Sequence, residues 1–163
     1  MKKLTTLEMN RLTPEQYSKA DKIPLVVVLD NVRSQHNVGA VFRTADAFRL
    51  QEIVLCGITC TPPNTEIHKT ALGAELTVNW TYCKETLDAV QRLKEEGYQV
   101  FAVEQVHGSI PLQDFRTAKG EKYAIILGHE VFGVQQSVVD AADGCIEIPQ
   151  YGTKHSLNVS VTA

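Results

Sequence analysis

The feature that most constrains the fold is a continuous apolar run, PLVVVLD, at residues 24–30. Its β-branched residues favour a strand, and the lack of alternating polar residues is typical of a strand covered on both faces, as in the centre of a parallel sheet. A polar loop follows, and apolar residues then recur at helical spacing, at Val38, Val41, Phe42, Ala45 and Phe48. Strand, loop and helix in this order predict the start of an α/β domain.

The alternation of strand and helix continues along the sequence. Further strands are predicted at residues 52–57, 76–82, 98–104, 123–128 and 145–148. Further helices are predicted at residues 14–20, 64–72, 85–96 and 134–143, the first from the capping-box pattern TPEQ. We therefore expect an α/β fold, a mostly parallel sheet with helices on both faces, in one domain over residues 1–163 that opens with a short helical extension, residues 1–23. Core positions are predicted at Trp80, Tyr82, Leu87, Val90 and Leu93.

Composition narrows the class of protein. Hydrophobic residues make up 44% and charged residues 21% of the chain, which is ordinary for a globular domain. No apolar run approaches the ~20 residues of a membrane span, and the first residues lack the apolar stretch of a signal peptide, so we expect a cytoplasmic protein. The four cysteines have no zinc-type spacing, which predicts reduced, mostly buried thiols and no metal. The net charge of -3 means that any nucleic-acid binding must come from a local basic face.

Three loops that follow predicted strands could carry chemistry, because ligands of open parallel sheets bind beyond the carboxyl ends of the strands. They are NVRSQHN at residues 31–37, GHEVFG at residues 128–133 and PQYGTKHSLN at residues 149–158. The second loop lacks the Lys-Ser/Thr of a phosphate-binding loop and the second His of a metalloprotease helix, and no GxGxxG fingerprint follows a strand. ATP hydrolysis, zinc proteolysis and NAD chemistry are thereby excluded. Glycine-rich turns beside apolar residues remain, and these suit a flat heterocycle of modest charge.

Five polar side chains would stand across from such a pocket: Asn37, Arg43, Glu130, Ser156 and Asn158. Taken singly, most have an ordinary structural explanation. Asn37 and Ser156 can cap helices, Asn158 can serve in a turn, and Arg43 can lie on a solvated helix face. Glu130 fits such an explanation least, because a carboxylate among apolar neighbours costs free energy unless it is paired. Together, three loops at neighbouring strand ends favour a single site.

Three motifs in a fixed order carry a resemblance to a known family. They are NVGAVFRTADAF at residues 37–48, ILGHEVFGV at residues 126–134 and IPQYGTKHSLNVSVTA at residues 148–163. Through them the sequence resembles, from Pro24 to its last residue, the SpoU-type branch of the SPOUT superfamily, which are knotted RNA ribose 2′-O-methyltransferases. The resemblance implies S-adenosylmethionine as cofactor, a C-terminal trefoil knot and a homodimer.

The resemblance also implies roles for individual residues. It makes five residues catalytic, namely Arg43, Asn37, Glu130, Ser156 and Asn158, and it places the cofactor among Leu127, Gly128, Gly133, Ile148 and Leu157. The family's arginine is commonly cast as the proton acceptor. A guanidinium keeps its proton at ordinary pH, however, so a clamp on phosphate and on developing oxyanion charge explains the need for Arg43 equally well. Glu130 would then accept the proton or orient Arg43. No metal is expected, because the sulfonium loses its charge as the alkoxide forms.

The identity of the RNA is less determined by the sequence. Transfer RNA is favoured over ribosomal RNA, because only some twenty residues precede Pro24, where relatives that act on ribosomal RNA often carry an RNA-binding domain. A local basic face could form from residues 1–11 with Arg33, Arg49, Lys69 and Lys154. His36 and His155, which flank two of the motifs, are expected at the surface or on an RNA phosphate.

Two alternative functions are compatible with the same motifs. A non-catalytic RNA-binding or assembly factor would keep the fold and lack cofactor binding, whereas a methyltransferase for a small molecule or a protein would turn over without RNA. The third motif in the family opens a helix that helps to close the knot and to pack the dimer. Eight residues follow His155 here, which is short for a helix that is stable by itself.

Overall fold

A computed structural model describes residues 1–5 and 8–163 of the chain. Its helices are α1 (Pro14–Lys19), α2 (Gln35–Phe48), α3 (Thr65–Ala71), α4 (Thr86–Glu95), α5 (Gln136–Ala141) and α6 (Val159–Thr162). Its strands are β1 (Ile23–Asp30), β2 (Leu50–Cys56), β3 (Trp80–Cys83), β4 (Tyr98–Val103), β5 (Ile110–Pro111), β6 (Lys122–Leu127) and β7 (Gly144–Glu147). Within the described residues, no helix is long and apolar enough to cross a membrane.

The strands form one parallel sheet in the order β3-β2-β1-β6-β4-β7-β5. The predicted α/β class and parallel sheet are confirmed. The apolar run of β1 lies inside the sheet, where Val27 is in register with Ile53 of β2 and with Ile125 of β6. Pairing on both edges explains why this run is continuous rather than alternating.

Helices cover both faces of the sheet, as predicted. Successive side chains of a strand point to opposite faces, so Val27 packs with Phe42 of α2, whereas Val28 packs with Leu93 of α4. All four side chains are at most 1% exposed. Full burial of one such side chain contributes about 1.5–3 kcal/mol. The two apolar clusters therefore hold the sheet in a fixed position between its helices.

The sequence prediction is wrong at both edge strands and at the start of α4, and the short edge strand β5 was not predicted at all. The strand predicted at residues 76–82 starts only at Trp80, since Ala74–Leu76 form a 3-10 helix. Tyr82 is 51% exposed rather than buried, because β3 is an edge strand with one side open to solvent. Leu87, also predicted in the core, is 43% exposed at the start of α4.

The N-terminal helix α1 matches the prediction in detail. Thr13 Oγ1 accepts a hydrogen bond from Gln16 N at 3.2 Å, and Gln16 Oε1 accepts one from Thr13 N at 2.9 Å. This is the capping box that TPEQ predicts. Of the basic segment at residues 1–11, residues 6 and 7 lie outside the described part of the chain.

The four thiols are free in the structure, and only two of them are buried, although the sequence predicts that most are. Cys56 and Cys145 are buried, whereas Cys60 and Cys83 are half-buried. Burial raises the pKa of the Cys56 thiol to about 12, which keeps that thiol protonated at neutral pH.

The parallel arrangement places the three predicted loops at the same end of the sheet, where the strands have their carboxyl ends. β1 ends at Asp30, β6 at Leu127 and β7 at Glu147, and each is followed by one of the loops. Because β1 and β6 are neighbours, the first two loops begin about one strand spacing, roughly 4.8 Å, apart.

Candidate active site

The first motif begins on a helix whose cap is not the predicted one. Ser34 is the N-cap of α2, and its Oγ accepts a hydrogen bond from Asn37 N at 3.3 Å. Asn37, which was predicted as a possible cap, lies within the first turn and is 9% exposed. Since the cap is supplied by Ser34, the Asn37 amide is free to bond with distant parts of the chain.

Glu130 clamps the start of α2. Its Oε1 accepts hydrogen bonds from Ser34 N at 2.8 Å and Asn37 Nδ2 at 3.0 Å, and its Oε2 accepts one from Arg33 N at 3.0 Å. Burial raises the pKa of Glu130, but these N–H groups outweigh that effect and bring its pKa below the usual value. The carboxylate is therefore ionised at neutral pH. Three donors already hold it, so it fits a positioning role better than that of a proton acceptor.

Asn158 joins the third motif to the first. Its Nδ2 donates to Asn37 Oδ1 at 3.2 Å, and its Oδ1 accepts from Ser160 N at 2.9 Å, so Asn158 is also the N-cap of α6. Val159, next in the chain, is buried in the cluster that contains α2. Ser156, the predicted cap, lies two residues before the actual one. The predicted meeting of the three loops is thus confirmed at the side chains of Asn37, Glu130 and Asn158.

Arg43 stands apart from this network. It lies six residues after Asn37 on α2, which turns its side chain about 240° around the helix axis. Its side chain is exposed and forms no hydrogen bond or ion pair with any described residue. The expectation that Glu130 orients Arg43 is wrong, because the Glu130 oxygens bond to Asn37 and to the backbone before it. The Arg43 guanidinium is free to meet a ligand from solvent.

A cavity of about 660 Å³ opens beyond the ends of β4, β6 and β7. All five residues predicted to hold the cofactor line it: Leu127, Gly128, Gly133, Ile148 and Leu157. Glu130, Ser156 and Asn158 line it as well. Asn37 lies behind Glu130, outside the lining, and Arg43 is also outside it. The cavity is therefore built by the second and third motifs and is held to the first by Glu130 and Asn158.

Two glycines shape the wall of this cavity. His129 N donates to Gly133 O at 3.0 Å, and Gly133 N donates to His129 O at 2.8 Å, which folds the loop back on itself. A Cβ on Gly128 would lie 2.1 Å from the backbone carbon of Gly133. Gly133 has a φ of +68°, and a Cβ there would lie 2.1 Å from Glu104 Oε2. No larger residue fits at either position unless the wall moves.

The lining suits the cofactor implied by the sequence. Leu127, Ile148 and Leu157 supply apolar surface for a flat ring, and the tight glycine turn exposes backbone polar groups beside it. The carboxylates of Glu104 and Glu130 also line the cavity and favour a cation over an anion. The volume lies within the range of about 300–1,000 Å³ that small-molecule sites occupy. An adenosine with a sulfonium centre matches both the apolar and the anionic parts of this surface.

Two acidic residues that the sequence analysis did not single out support the site. Asp30 is fully buried and accepts hydrogen bonds from Gln135 N at 2.9 Å and Thr86 Oγ1 at 2.6 Å. Glu104 Oε2 accepts one from Val134 N at 3.0 Å. Both carboxylates lie at the end of a buried strand run, in PLVVVLD and YQVFAVE, and that position is the signal that could have identified them.

The predicted basic face is only partly available. Lys69 Nζ lies 2.6 Å from Glu66 Oε1, and His36 Nε2 lies 2.9 Å from Glu66 Oε2. These contacts offset the charge of Lys69. Arg33, Arg49 and Lys154 are exposed. His36 is at the surface, as predicted, and so is His155.

Comparison with known proteins agrees with this geometry. Residues 24–163 match the SpoU rRNA Methylase family. The tRNA (guanosine(18)-2′-O)-methyltransferase of Thermus thermophilus is 32% identical over 160 residues, which cover 96% of this chain and 78% of the relative. The 23S rRNA (guanosine(2553)-2′-O)-methyltransferase of Bacillus subtilis is 30% identical over 160 residues, which cover 93% of this chain and 62% of the relative.

Solved structures show the same fold. The AdoMet-bound rRNA methyltransferase of Sinorhizobium meliloti superposes with a TM-score of 0.79 at 27% identity, over 93% of this chain and 57% of that one. The TrmH/SpoU tRNA modifying enzyme of A. aeolicus superposes with a TM-score of 0.78 at 25% identity, over 90% of this chain and 73% of that one. The chain thus spans between about half and three quarters of these structures.

Proposed function

Because the chain belongs to the SpoU rRNA methylase family, we propose that it transfers a methyl group from S-adenosylmethionine to a ribose 2′-hydroxyl of RNA. The observation that carries the proposal is the contact of Glu130 and Asn158 with Asn37, which ties all three motifs to one cavity. A chain that kept the fold for packing alone would not need three distant polar side chains to meet beside an apolar pocket.

S-adenosylmethionine is the cofactor, and Leu127, Gly128, Gly133, Ile148 and Leu157 would hold it. When bound, it supplies an electrophilic methyl group on a positively charged sulfur. Leu157 and Ile148 would cover the bound cofactor with apolar surface, and the backbone at Gly128 and Gly133 would approach the cofactor closely because neither glycine carries a side chain. Glu104 holds the turn from behind through Val134 N. The rigidity of this wall fixes the direction of approach, and such alignment is a large part of catalysis between two substrates.

The catalytic roles follow from what each side chain touches. Glu130 and Asn37 are positioning residues, since each is held by the other and both also bond to further parts of the chain. Ser156 and Asn158 line the cavity and would face the RNA ribose beside the cofactor. Arg43 carries an unpaired guanidinium, which would clamp the RNA phosphate and stabilise the negative charge that develops on the attacking oxygen.

Transfer RNA is the proposed substrate class. The transfer RNA enzyme of Thermus thermophilus matches this chain over 78% of its own length, whereas the ribosomal RNA enzyme of Bacillus subtilis matches it over 62%. Because the net charge is -3, contacts with phosphate would depend on exposed cations such as Arg33, Arg49 and Lys154. A cytoplasmic location is part of this proposal, since the RNA substrate resides there.

A homodimer and a trefoil knot complete the proposal. Apolar side chains of the second and third motifs are exposed: Val131 at 70%, Phe132 at 83%, Tyr151 at 95% and Val161 at 74%. Val131 and Phe132 also line the cavity. Large apolar side chains exposed to this extent are typical of an interaction surface. A second copy of the chain would cover it, and residues 1–163 would act as one knotted domain whose third motif passes beside the second.

Nucleoside mass spectrometry tests the proposed activity. Purified protein is incubated with isotopically labelled S-adenosylmethionine and either bulk transfer RNA or ribosomal RNA, beside the Arg43→Ala variant. We expect label in a 2′-O-methylated nucleoside of transfer RNA, and loss of that label with Arg43→Ala. Label in neither RNA, from a protein that still binds RNA, would favour an RNA-binding factor instead. Turnover without RNA would favour a small-molecule or protein methyltransferase.

A further inference from the structure

A second cavity, of about 330 Å³, also opens at the carboxyl end of the sheet, beyond β1, β2 and β3. Asn31, Gly57, Tyr82, Lys84 and Gln135 contribute to its lining, together with Glu85 and Thr86. The loop that Glu130 clamps follows β1 and lies between this cavity and the cofactor cavity. The second cavity is therefore a neighbour of the active site and is separate from it.

The floor of the second cavity is rigid. Asn31 and Gly57 have φ values of +56° and +60°, and Asn31 Oδ1 accepts a hydrogen bond from Ile58 N at 3.1 Å. Asn31 Nδ2 donates to Asp30 Oδ1 at 2.9 Å. A Cβ on Gly57 would lie 2.1 Å from Asn31 Oδ1, so only glycine permits this contact. The cavity is thus preformed and does not depend on a ligand for its shape.

The groups that remain free at this cavity match a nucleotide. Tyr82 is 51% exposed, and its hydroxyl donates to Gly57 O at 3.0 Å, which holds the ring in place. Lys84 forms no hydrogen bond or ion pair within the described part of the chain. Gln135 Nε2 is bonded to Asp30 Oδ1 at 2.8 Å, which leaves its Oε1 as an acceptor. A fixed aromatic ring, a free cation and a free amide oxygen can stack a base, bind a phosphate and meet a base edge.

We propose that this cavity binds an RNA nucleotide close to the methylated one, with its base stacked on Tyr82 and its phosphate beside Lys84. The inference rests on the proposed function, because it assigns part of the same RNA. β3 lies three strand spacings from β6, so the two cavities are roughly 14 Å apart, measured across the strands at their carboxyl ends. An extended strand crosses that distance in a few nucleotides. Glu85 also lines the cavity; its carboxylate repels phosphate and accepts from base amino groups, which favours a base inside and the phosphate at Lys84.

Direct binding of bulk transfer RNA, without S-adenosylmethionine, tests the site. We expect Tyr82→Ala to weaken binding about 5- to 150-fold, the range for loss of one stacked base. Tyr82→Phe keeps the ring and should bind within about twofold of the parent. Lys84→Gln should reduce the slope of log affinity against log salt by about 0.7–0.9, the value for one phosphate contact. Lys119→Gln is the matched control, because this exposed lysine precedes β6 and so lies near the amino end of that strand, away from both cavities.

The variants separate failure of this inference from failure of the proposed function. If the parent protein binds and methylates RNA but Tyr82→Ala and Lys84→Gln bind as the parent does, the second cavity is not an RNA site. If Tyr82→Ala and Tyr82→Phe weaken RNA binding equally, the hydroxyl of Tyr82 matters and its ring does not. That result would also overturn the inference. Calorimetric titration with S-adenosylmethionine keeps the cofactor site as a reference, since all variants should bind the cofactor as the parent does.

Discussion

Asn37 and Glu130 lie 93 residues apart in the chain, and Asn37 Nδ2 donates to Glu130 Oε1 at 3.0 Å. The other end of the same amide, Asn37 Oδ1, accepts from Asn158 Nδ2 at 3.2 Å. Asn37 therefore uses both ends of its amide to join the second and third motifs to the first. Among uncharged side chains of this size, only that of Asn carries an N–H donor and a carbonyl acceptor on the same terminal group.

Replacing Asn37 with Asp should break this junction. Asn37→Asp keeps the size but substitutes a carboxylate for the donor that faces Glu130, so two negative charges meet in a site that is 9% exposed. We expect the free energy of unfolding to fall by about 1–3 kcal/mol, with a loss of methylation. Urea denaturation measures the change. Asn79→Asp is the control; Asn79 is exposed and its amide makes only a 3.5 Å contact with Gln51 O, so its change should stay within about 0.5 kcal/mol.

The clamp of Glu130 predicts a dependence of stability on acid pH. The folded pKa of Glu130 lies below its ordinary value of 4.5, because N–H groups overcome the effect of burial. A depressed folded pKa contributes stability above the unfolded pKa, and that contribution is lost as the pH falls through the folded pKa. The difference in unfolding free energy between the parent and Glu130→Gln should therefore be constant near neutral pH and shrink below about pH 4.5. A difference that is the same at every pH would contradict the clamp.

The glycine turn predicts a strong effect of a single methyl group. Gly128→Ala would place a Cβ 2.1 Å from the backbone of Gly133, which can move only if the cavity wall moves. We expect the affinity for S-adenosylmethionine, measured by calorimetry, to fall about 5- to 150-fold, since overpacking costs about 1–3 kcal/mol. Gly152→Ala in the third motif is the matched control, because a Cβ there meets nothing within 4 Å. Equal affinities of the two variants would show that the turn is softer than its geometry indicates.

The free guanidinium of Arg43 should matter for turnover and not for folding. Because the side chain is exposed and has no partner among the described residues, Arg43→Ala should change the unfolding free energy by less than about 0.5 kcal/mol. Affinity for S-adenosylmethionine should also persist, since Arg43 does not line the cofactor cavity. We expect kcat to fall about 10²- to 10³-fold, the range for loss of one group that stabilises an oxyanion. Steady-state kinetics with RNA measures this, with Arg116→Ala as the control, because Arg116 is an exposed arginine in the connection between β5 and β6.

The thiols should differ in reactivity. The thiolate is the reactive form, and Cys56 is fully buried with a pKa raised to about 12, so alkylation at pH ~8 should leave it unmodified in the native protein. Cys60 and Cys83 are half-buried and should react first. Peptide mass spectrometry after brief treatment with iodoacetamide measures the order. Early labelling of Cys56 would mean that the packing of β2 opens readily.

Local features of the structure were predictable from the sequence because neighbours in the chain decide them. The capping box at Thr13 and Gln16 forms within a single helical turn. The apolar run of β1 identifies a strand paired on both sides. Gly97, with a φ of +85°, ends the α4 segment at the predicted residue. In each case the residues that determine the conformation are close together in the sequence.

The placement of single side chains was less predictable. Asn37 and Ser34 are both good caps; the Ser34 side chain is the one that caps α2, and Glu130 of the neighbouring loop holds the Ser34 backbone. Tyr82 has the apolar pattern of a core residue but lies on an edge strand, and strand order is not visible in one strand's sequence. Arg43 and Asn37 share a motif, yet the helical turn between them separates their side chains.

The sequence by itself determined the α/β class, the order of the longer strands and helices along the chain and the three loops that meet at the candidate site, because hydrophobic periodicity and turn residues act over a few positions. The two-residue strand β5 carries no such pattern and was not predicted. Only the tertiary structure decided that Glu130 holds Asn37 rather than Arg43, that Asp30 and Glu104 support the cavity, and that a second cavity forms beside Tyr82. These relationships join residues that are distant in the chain. They arise because parallel strands have their carboxyl ends at the same end of the sheet. A buried carboxylate there must bond to the donors that the fold places within about 3 Å of it.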